Sequence, residues 1–97
     1  MANICENKMY VQSEDPNNVK YLREWCTENL DGYLELIDDE SFEYYFDSRW
    51  DFPVEEMKEM VDELPNKDDI YIRVLSVEEC NYYCAFHTYE GVEWELQ

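Results

Sequence analysis

Two hydrophobic periods alternate along this chain, and their order limits the folds open to it more than any single residue does. Residues 4 to 12 set Cys5, Asn7, Met9 and Val11 against Glu6, Lys8, Tyr10 and Gln12, the period of a half-buried strand. Asp15 then offers a cap and Pro16 suits a first helical position. Val19, Leu22, Cys26 and Leu30 recur at helical spacing with Trp25 beside them, opposite Lys20, Arg23, Glu24 and Glu28, and Gly32 reads as the stop. Residues 33 to 37 and 41 to 47 are strand-like and flank Asp38, Asp39 and Glu40, which predicts a hairpin with Phe42, Tyr44 and Phe46 on its buried face. After Pro53 the helical period returns in Val54, Met57, Met60, Val61 and Leu64, until residues 65 to 67 break it. From residue 70 the period is two again. Ile70, Ile72 and Val74 share one face, a turn follows at Glu78 and Glu79, then Tyr82, Cys84 and Phe86 take the inner side, and Val92, Trp94 and Leu96 form a last strand after Gly91.

The predicted order is βαββαβ with a terminal hairpin. An α+β domain of that order solves its packing as an antiparallel sheet with two helices on one face, the ferredoxin-like arrangement built on a split βαβ motif, here with a C-terminal β-hairpin extension. The name describes topology and implies no iron-sulfur cluster. At 97 residues the chain has room for one such domain, spanning 1–97.

Charge decides which partners such a domain can take. Twenty-five acidic residues stand against seven basic ones, a net −18. Chains that acidic are often disordered, but 45% hydrophobic and 16% aromatic content supplies a core. Direct binding to DNA, RNA or an anionic membrane is excluded as an expectation, because each needs a cationic footprint. The acidity is regional. Residues 1 to 30 carry net −2 and residues 31 to 97 carry −16, with thirteen acids between Asp38 and Asp69. The first residues, Met1 to Lys8, lack the regions of a secretory signal and no apolar run is long enough to span a bilayer, so the expected location is the cytoplasm, where Cys5, Cys26, Cys80 and Cys84 stay reduced.

Two blocks carry a resemblance. The opening Met-Ala-Asn-Ile-Cys-Glu-Asn-Lys-Met-Tyr-Val, followed by an acidic turn and a helix, and the segment Phe42 to Val54, a strand leading through Trp50 and Pro53 into a helix, resemble the ferredoxin-like domain of Api-like proteins of phages and other mobile elements. Ile4 stands where that family carries an aromatic residue. What the resemblance implies is the fold and a phage or mobile-element setting, and it assigns no catalytic residues.

No pattern in the chain reads as a catalytic or metal centre. His87 is the only histidine, and Cys84, three positions earlier on the same strand, should point to the opposite face, which disfavours a nucleophile and base pair. Cys80-x3-Cys84 is not the spacing of a zinc knuckle, no stretch reproduces a calcium loop, and two glycines cannot build a phosphate loop. No enzymatic activity and no cofactor are expected.

What remains is interaction. The expected contact set for a basic protein is Asp38, Asp39 and Glu40 with Glu55, Glu56, Glu59, Asp62 and Glu63 of the second helix and Asp68 and Asp69 beyond it. A domain this size has a radius of gyration of about 12.5 Å and a diameter of roughly 32 Å. Eighteen charges match about 31 Å of duplex, so the surface can imitate DNA. The expected partner is a basic, nucleic-acid-binding host defence protein of the CRISPR or restriction kind, blocked by the mimic. The alternative is a protein-protein interaction module using Tyr45, Tyr71, Tyr83 and Tyr89, placed opposite the predicted core, with a homodimer through the sheet as its simplest form and acids serving solubility.

Overall fold

The structure, a computed structural model, describes residues 4–78 and 83–97. In chain order the elements are β1 (Ile4–Gln12), α1 (Pro16–Asn29), β2 (Gly32–Leu36), β3 (Ser41–Arg49), α2 (Val54–Asp62), β4 (Tyr71–Glu78), β5 (Tyr83–Tyr89) and β6 (Trp94–Leu96). The six strands form one sheet in the order β2-β3-β1-β4-β5-β6, and every neighbouring pair is antiparallel. This is the ferredoxin-like α+β plan extended at the C-terminus by two antiparallel strands, β5 and β6. No helix among the described residues is long and apolar enough to cross a membrane.

Local chemistry explains the element ends. Asp15 caps α1 by accepting the Asn17 N–H at 2.9 Å, and Pro16 occupies the first turn, where its missing N–H costs nothing. The helix ends at Asn29 in an extended Leu30 whose N–H returns to the Cys26 carbonyl. Gly32 is therefore not the stop that its place in the sequence suggests. It opens β2, where a Cβ would collide with the Tyr45 carbonyl of β3. Strand β3 continues two residues past the predicted 47. Trp50, with φ of 71°, then turns the chain toward α2.

The core lies between the helices and one face of the sheet. Met9 and Val11 of β1, Phe42, Tyr44 and Phe46 of β3, and Ile72 and Val74 of β4 meet Leu22 and Cys26 of α1 and Met57 and Met60 of α2. Desolvation in this layer pushes the Cys26 thiol up to about 12. Leu64 is buried beyond the end of α2, whereas Val54, predicted on the same stripe, is exposed. Glu78, expected in a turn, ends β4 and is buried.

Strand β5 reverses one expectation. Tyr82 and Cys80 lie outside the described residues, but Cys84 and Phe86 are exposed on the open face, while Ala85 and Tyr89 are buried and Tyr83 and His87 half-buried on the helix side. The register with β4 enforces this, since His87 faces Val74, a core residue, and Phe86 faces Leu75, an exposed one. His87 and Cys84 do point to opposite faces. Among the described cysteines, Cys5, Cys26 and Cys84 are free thiols.

His87 stacks on Phe52 with ring centroids 3.7 Å apart and planes 13° apart, and its Nδ1 is buried without a hydrogen-bond partner. Burial holds the imidazole below its ordinary 6.5. Protons therefore bind the unfolded chain first. The stability contributed by the neutral ring is complete above 6.5 and is lost as pH falls from there through the folded value. His87→Phe keeps a stacking ring and removes the titration. Urea midpoints measured from about pH 7.5 down to about pH 5 should show the variant gaining on the parent as the solution is acidified, and parallel curves would contradict this.

Candidate functional site: an anionic end and an open aromatic face

In an antiparallel layer of this order, successive connections alternate between the two ends of the sheet. The first, third, fifth and seventh connections share one end, and hydrogen bonds and close approaches join them. Ser13 N–H donates to the Glu40 carbonyl, so the β1–α1 link meets the β2–β3 turn. Glu14 N–H donates to Asp69 Oδ1 at 3.4 Å, and Asn66 Nδ2 to Asp15 Oδ2 at 3.1 Å, which brings in the α2–β4 loop. Gly91, at φ of 100°, lies so close to the Lys67 carbonyl that a Cβ would clash, which places the β5–β6 turn beside the same loop.

The carboxylates gather at this end. The four connections supply Glu14 and Asp15, Asp38 to Glu40, Glu63 with Asp68 and Asp69, and Glu90 with Glu93, ten acids against the single cation Lys67. Half of the net charge of −18 therefore belongs to these four connections. The described connections at the opposite end supply Asp31 and Asp51. Between described residues one ion pair forms, Lys8 with Glu43 at 3.4 Å on the sheet, so the chain's own cations leave the anionic end uncompensated.

Three of these acids have work in the fold. Asp15 is the α1 cap, Asp69 receives the Glu14 N–H, and Asp38 Oδ1 accepts the Glu40 N–H at 2.8 Å and the Ser41 hydroxyl at 2.9 Å. Those bonds, the one from Glu40 first, hold the Asp38 carboxyl below its ordinary 3.8. The other seven are exposed. At the C-terminus of α2, Asp62 and Glu63 face the negative end of the helix dipole with no basic residue in the last turn, a placement that opposes helix stability.

Of the predicted contact set, Asp38, Asp39, Glu40, Asp62, Glu63, Asp68 and Asp69 come together here. Glu55 and Glu56 sit in the first turn of α2, toward the far end, and Glu59 lies between. Glu14, Asp15, Glu90 and Glu93 belong to the cluster and were missed, because a scan for runs of charge does not join connections far apart in sequence. Element order was the signal that could have joined them.

The long axis of the molecule is 40 Å and the other extents are 24 and 20 Å, with a radius of gyration of 12.9 Å. The molecule is thus longer than the roughly 32 Å sphere expected from its size. Twenty-five acids over 40 Å is one per about 1.6 Å, close to the duplex value of about 1.7 Å, whereas the net charge gives one per about 2.2 Å. Averaged over the molecule, the net density falls short of a duplex, and the charge is concentrated at one end.

The face of the sheet away from the helices carries Tyr10, Tyr33, Tyr45 and Tyr71 with Leu75, Val77 and Phe86. Its cations are engaged by rings. Arg73 lies 4.3 Å from the Tyr10 centroid, and Lys8 lies 5.7 Å from that of Tyr45, whose hydroxyl donates to Glu43 at 3.0 Å. Tyr45 and Tyr71 stand where expected. Tyr83 and Tyr89 do not: Tyr83 turns to the helix side, where its hydroxyl accepts the Phe52 N–H, and Tyr89 is buried against Trp94. Comparison with protein-family models, curated proteins and solved structures gives no match.

Asn18 ties the β1–α1 link to the α2–β4 loop. Fully buried, it donates through Nδ2 to Ser13 Oγ and to the carbonyls of Asn66 and Asp69, and its Oδ1 accepts the Asn66 N–H. Asn18→Ala strands those groups and should cost about 2–3 kcal/mol in urea unfolding. A loss below about 1 kcal/mol would mean that the loops hold without it.

Proposed function

We propose that this chain is a non-enzymatic inhibitor of phage or mobile-element type that binds a basic, nucleic-acid-binding host defence protein, of the CRISPR or restriction kind, and occupies its cationic groove in place of nucleic acid. The observation that carries the reading is the anionic end: ten carboxylates from four connections with one cation among them. Carboxylates crowded this way repel one another, and two of the acids there oppose a helix dipole, so the arrangement costs stability that a dispersed surface would not. A cationic groove supplies the missing counter-charge and gains fast, steered association. The setting rests on the resemblance of the β1 and β3–α2 segments to Api-like proteins.

A second reading, an interaction module working through the open sheet face, is favoured by the exposed Tyr33, Leu75 and Phe86 and the half-buried Tyr10, Tyr45 and Tyr71. Salt separates the two, since groove occupancy weakens steeply with ionic strength and apolar sheet packing does not.

The test uses Asp39→Lys, Glu40→Lys, Asp68→Lys and Glu93→Lys together, which spares the three carboxylates used by the fold. Each swap adds two charges, moving the net charge from −18 to −10. The variant should melt at or above the parent temperature because repulsion is relieved. The immobilised parent should retain a nucleic-acid-binding host protein at about 50 mM salt and release it by about 200 mM, and should displace nucleic acid from it. The variant should do neither. Equal capture by both chains, or capture indifferent to salt, would refute the reading.

A further inference from the structure

The two edges of the sheet are β2 and β6, and they differ. β6 is three residues long, with Trp94 tied through Nε1 to the Met57 carbonyl. β2 is five residues long and its ladder runs on one further step, the Ile37 N–H donating to the Ser41 carbonyl at 3.3 Å. That bond fixes which backbone groups are free. In an antiparallel pair the residues alternate between those whose N–H and C=O both face the partner and those whose groups both face away. Ile37, Glu35 and Tyr33 face β3, so the N–H and C=O of Leu34 and Leu36 point outward from the sheet.

Natural edges are usually blunted by a lysine, a proline, a bulge or a covering element. The segment Gly-Tyr-Leu-Glu-Leu-Ile has no lysine and no proline, and its pairing with β3 is continuous. Tyr33, Leu36 and Ile37 are each more than half exposed, at 63%, 58% and 51%. On the helix side a groove runs beside the edge between α1 and Leu34, with Lys20, Arg23, Glu24 and Glu28 along it. On the open side Glu35 is exposed and outside any ion pair between described residues, while Glu43, across the pair, is bridged by Lys8 at 3.4 Å.

We propose that the outer edge of β2 accepts an extended segment of a basic protein as a seventh strand, with Lys or Arg at the alternate positions that face Glu35 and apolar residues at those beside Leu34 and Leu36. Charge selects this occupant over a second copy, because two chains of −18 repel and the Lys20 and Arg23 cations beside the edge are already matched in number by Glu24 and Glu28. Main-chain hydrogen bonds to Leu34 and Leu36 supply the affinity and the alternating side chains the selectivity. The edge touches the anionic end only at its tip, where Asp39 and Glu40 follow Ile37, and the inference stands without the inhibitor reading.

The probe is a capped peptide of alternating Lys and Val, with a Glu and Val peptide as control, and the readout is amide hydrogen exchange residue by residue on the full chain in moderate salt. With the Lys peptide at about ten times its Kd, exchange at Leu34 and Leu36 should slow about tenfold. The Glu peptide should leave both unchanged. Leu36→Pro removes one outward N–H and no ladder bond, so it should abolish the protection with the fold retained. Glu35→Lys, which keeps every backbone group, should reverse the preference between the peptides and reports even where the proline variant unfolds. Absence of protection at these two amides, or equal protection by both peptides, would overturn the proposal. Protection that grows with protein concentration alone would assign the edge to a second copy and overturn it equally.

Discussion

Strand β1 is hydrogen-bonded along both of its edges, to β3 on one side and β4 on the other, and the rest of the molecule is arranged about that double pairing. Its alternation commits Cys5, Asn7, Met9 and Val11 to one face, which fixes the face the helices must cover. With β1 in the middle and every pair antiparallel, each connection must return to the end from which the next element starts. The end of the sheet on which any turn sits therefore follows from element order alone. Asn7 shows how tightly the position is held: buried, it donates to Ser48 Oγ at 2.9 Å and receives the Ser76 hydroxyl at 2.7 Å, joining β3, β1 and β4 through side chains as well as backbone.

That geometry gathers half of the net charge of a sequence that is acidic almost everywhere after residue 30 into four connections at one end of the molecule. The same alternation of ends gives α1 a good electrostatic start, with Glu14 and Asp15 at its positive terminus, and α2 a poor finish, with Asp62 and Glu63 at its negative one. Burial of the apolar layer offsets the repulsion. On the order of 25 cal/mol per Å² of apolar surface removed from water, a core with three phenylalanines, three methionines and two tyrosines outweighs a few screened surface charges.

Most of the fold was legible because most segments have one apolar face. β1, β3, β4 and, apart from Val54, the stripe of α2 fall where their periods put them. β5 failed for a physical reason. Its two faces read Tyr83, Ala85, His87, Tyr89 and Cys84, Phe86, Thr88, both partly apolar, so a period of two carries no phase. Tertiary pairing decides instead: Val74 opposite His87 and Phe52 stacked on the imidazole pull that set inward. Tyrosine adds to the ambiguity, since its ring can be buried with the hydroxyl at a partner, as in Tyr44 donating to the Leu30 carbonyl at 2.9 Å. Of the candidate site, the central acids were legible as a run, while Glu14, Glu90 and Glu93 join them only through topology.

The anionic end and the β2 edge meet at the β2–β3 turn. Ile37 closes the ladder to Ser41, and Asp38 tightens the turn by binding Glu40 and Ser41, which leaves the Asp39 and Glu40 carboxylates at the tip of the edge strand. A basic segment lying along β2 would end among those carboxylates, so one partner can satisfy both surfaces. The backbone would hold it in register along Leu34 and Leu36, and the cluster of charge would hold its far end. Coulomb attraction alone is directionless and fades beyond about 8–10 Å at physiological salt. A strand edge is directional and short in range. Joined at one turn, the two would let a cationic partner of the proposed kind bind in one orientation rather than many.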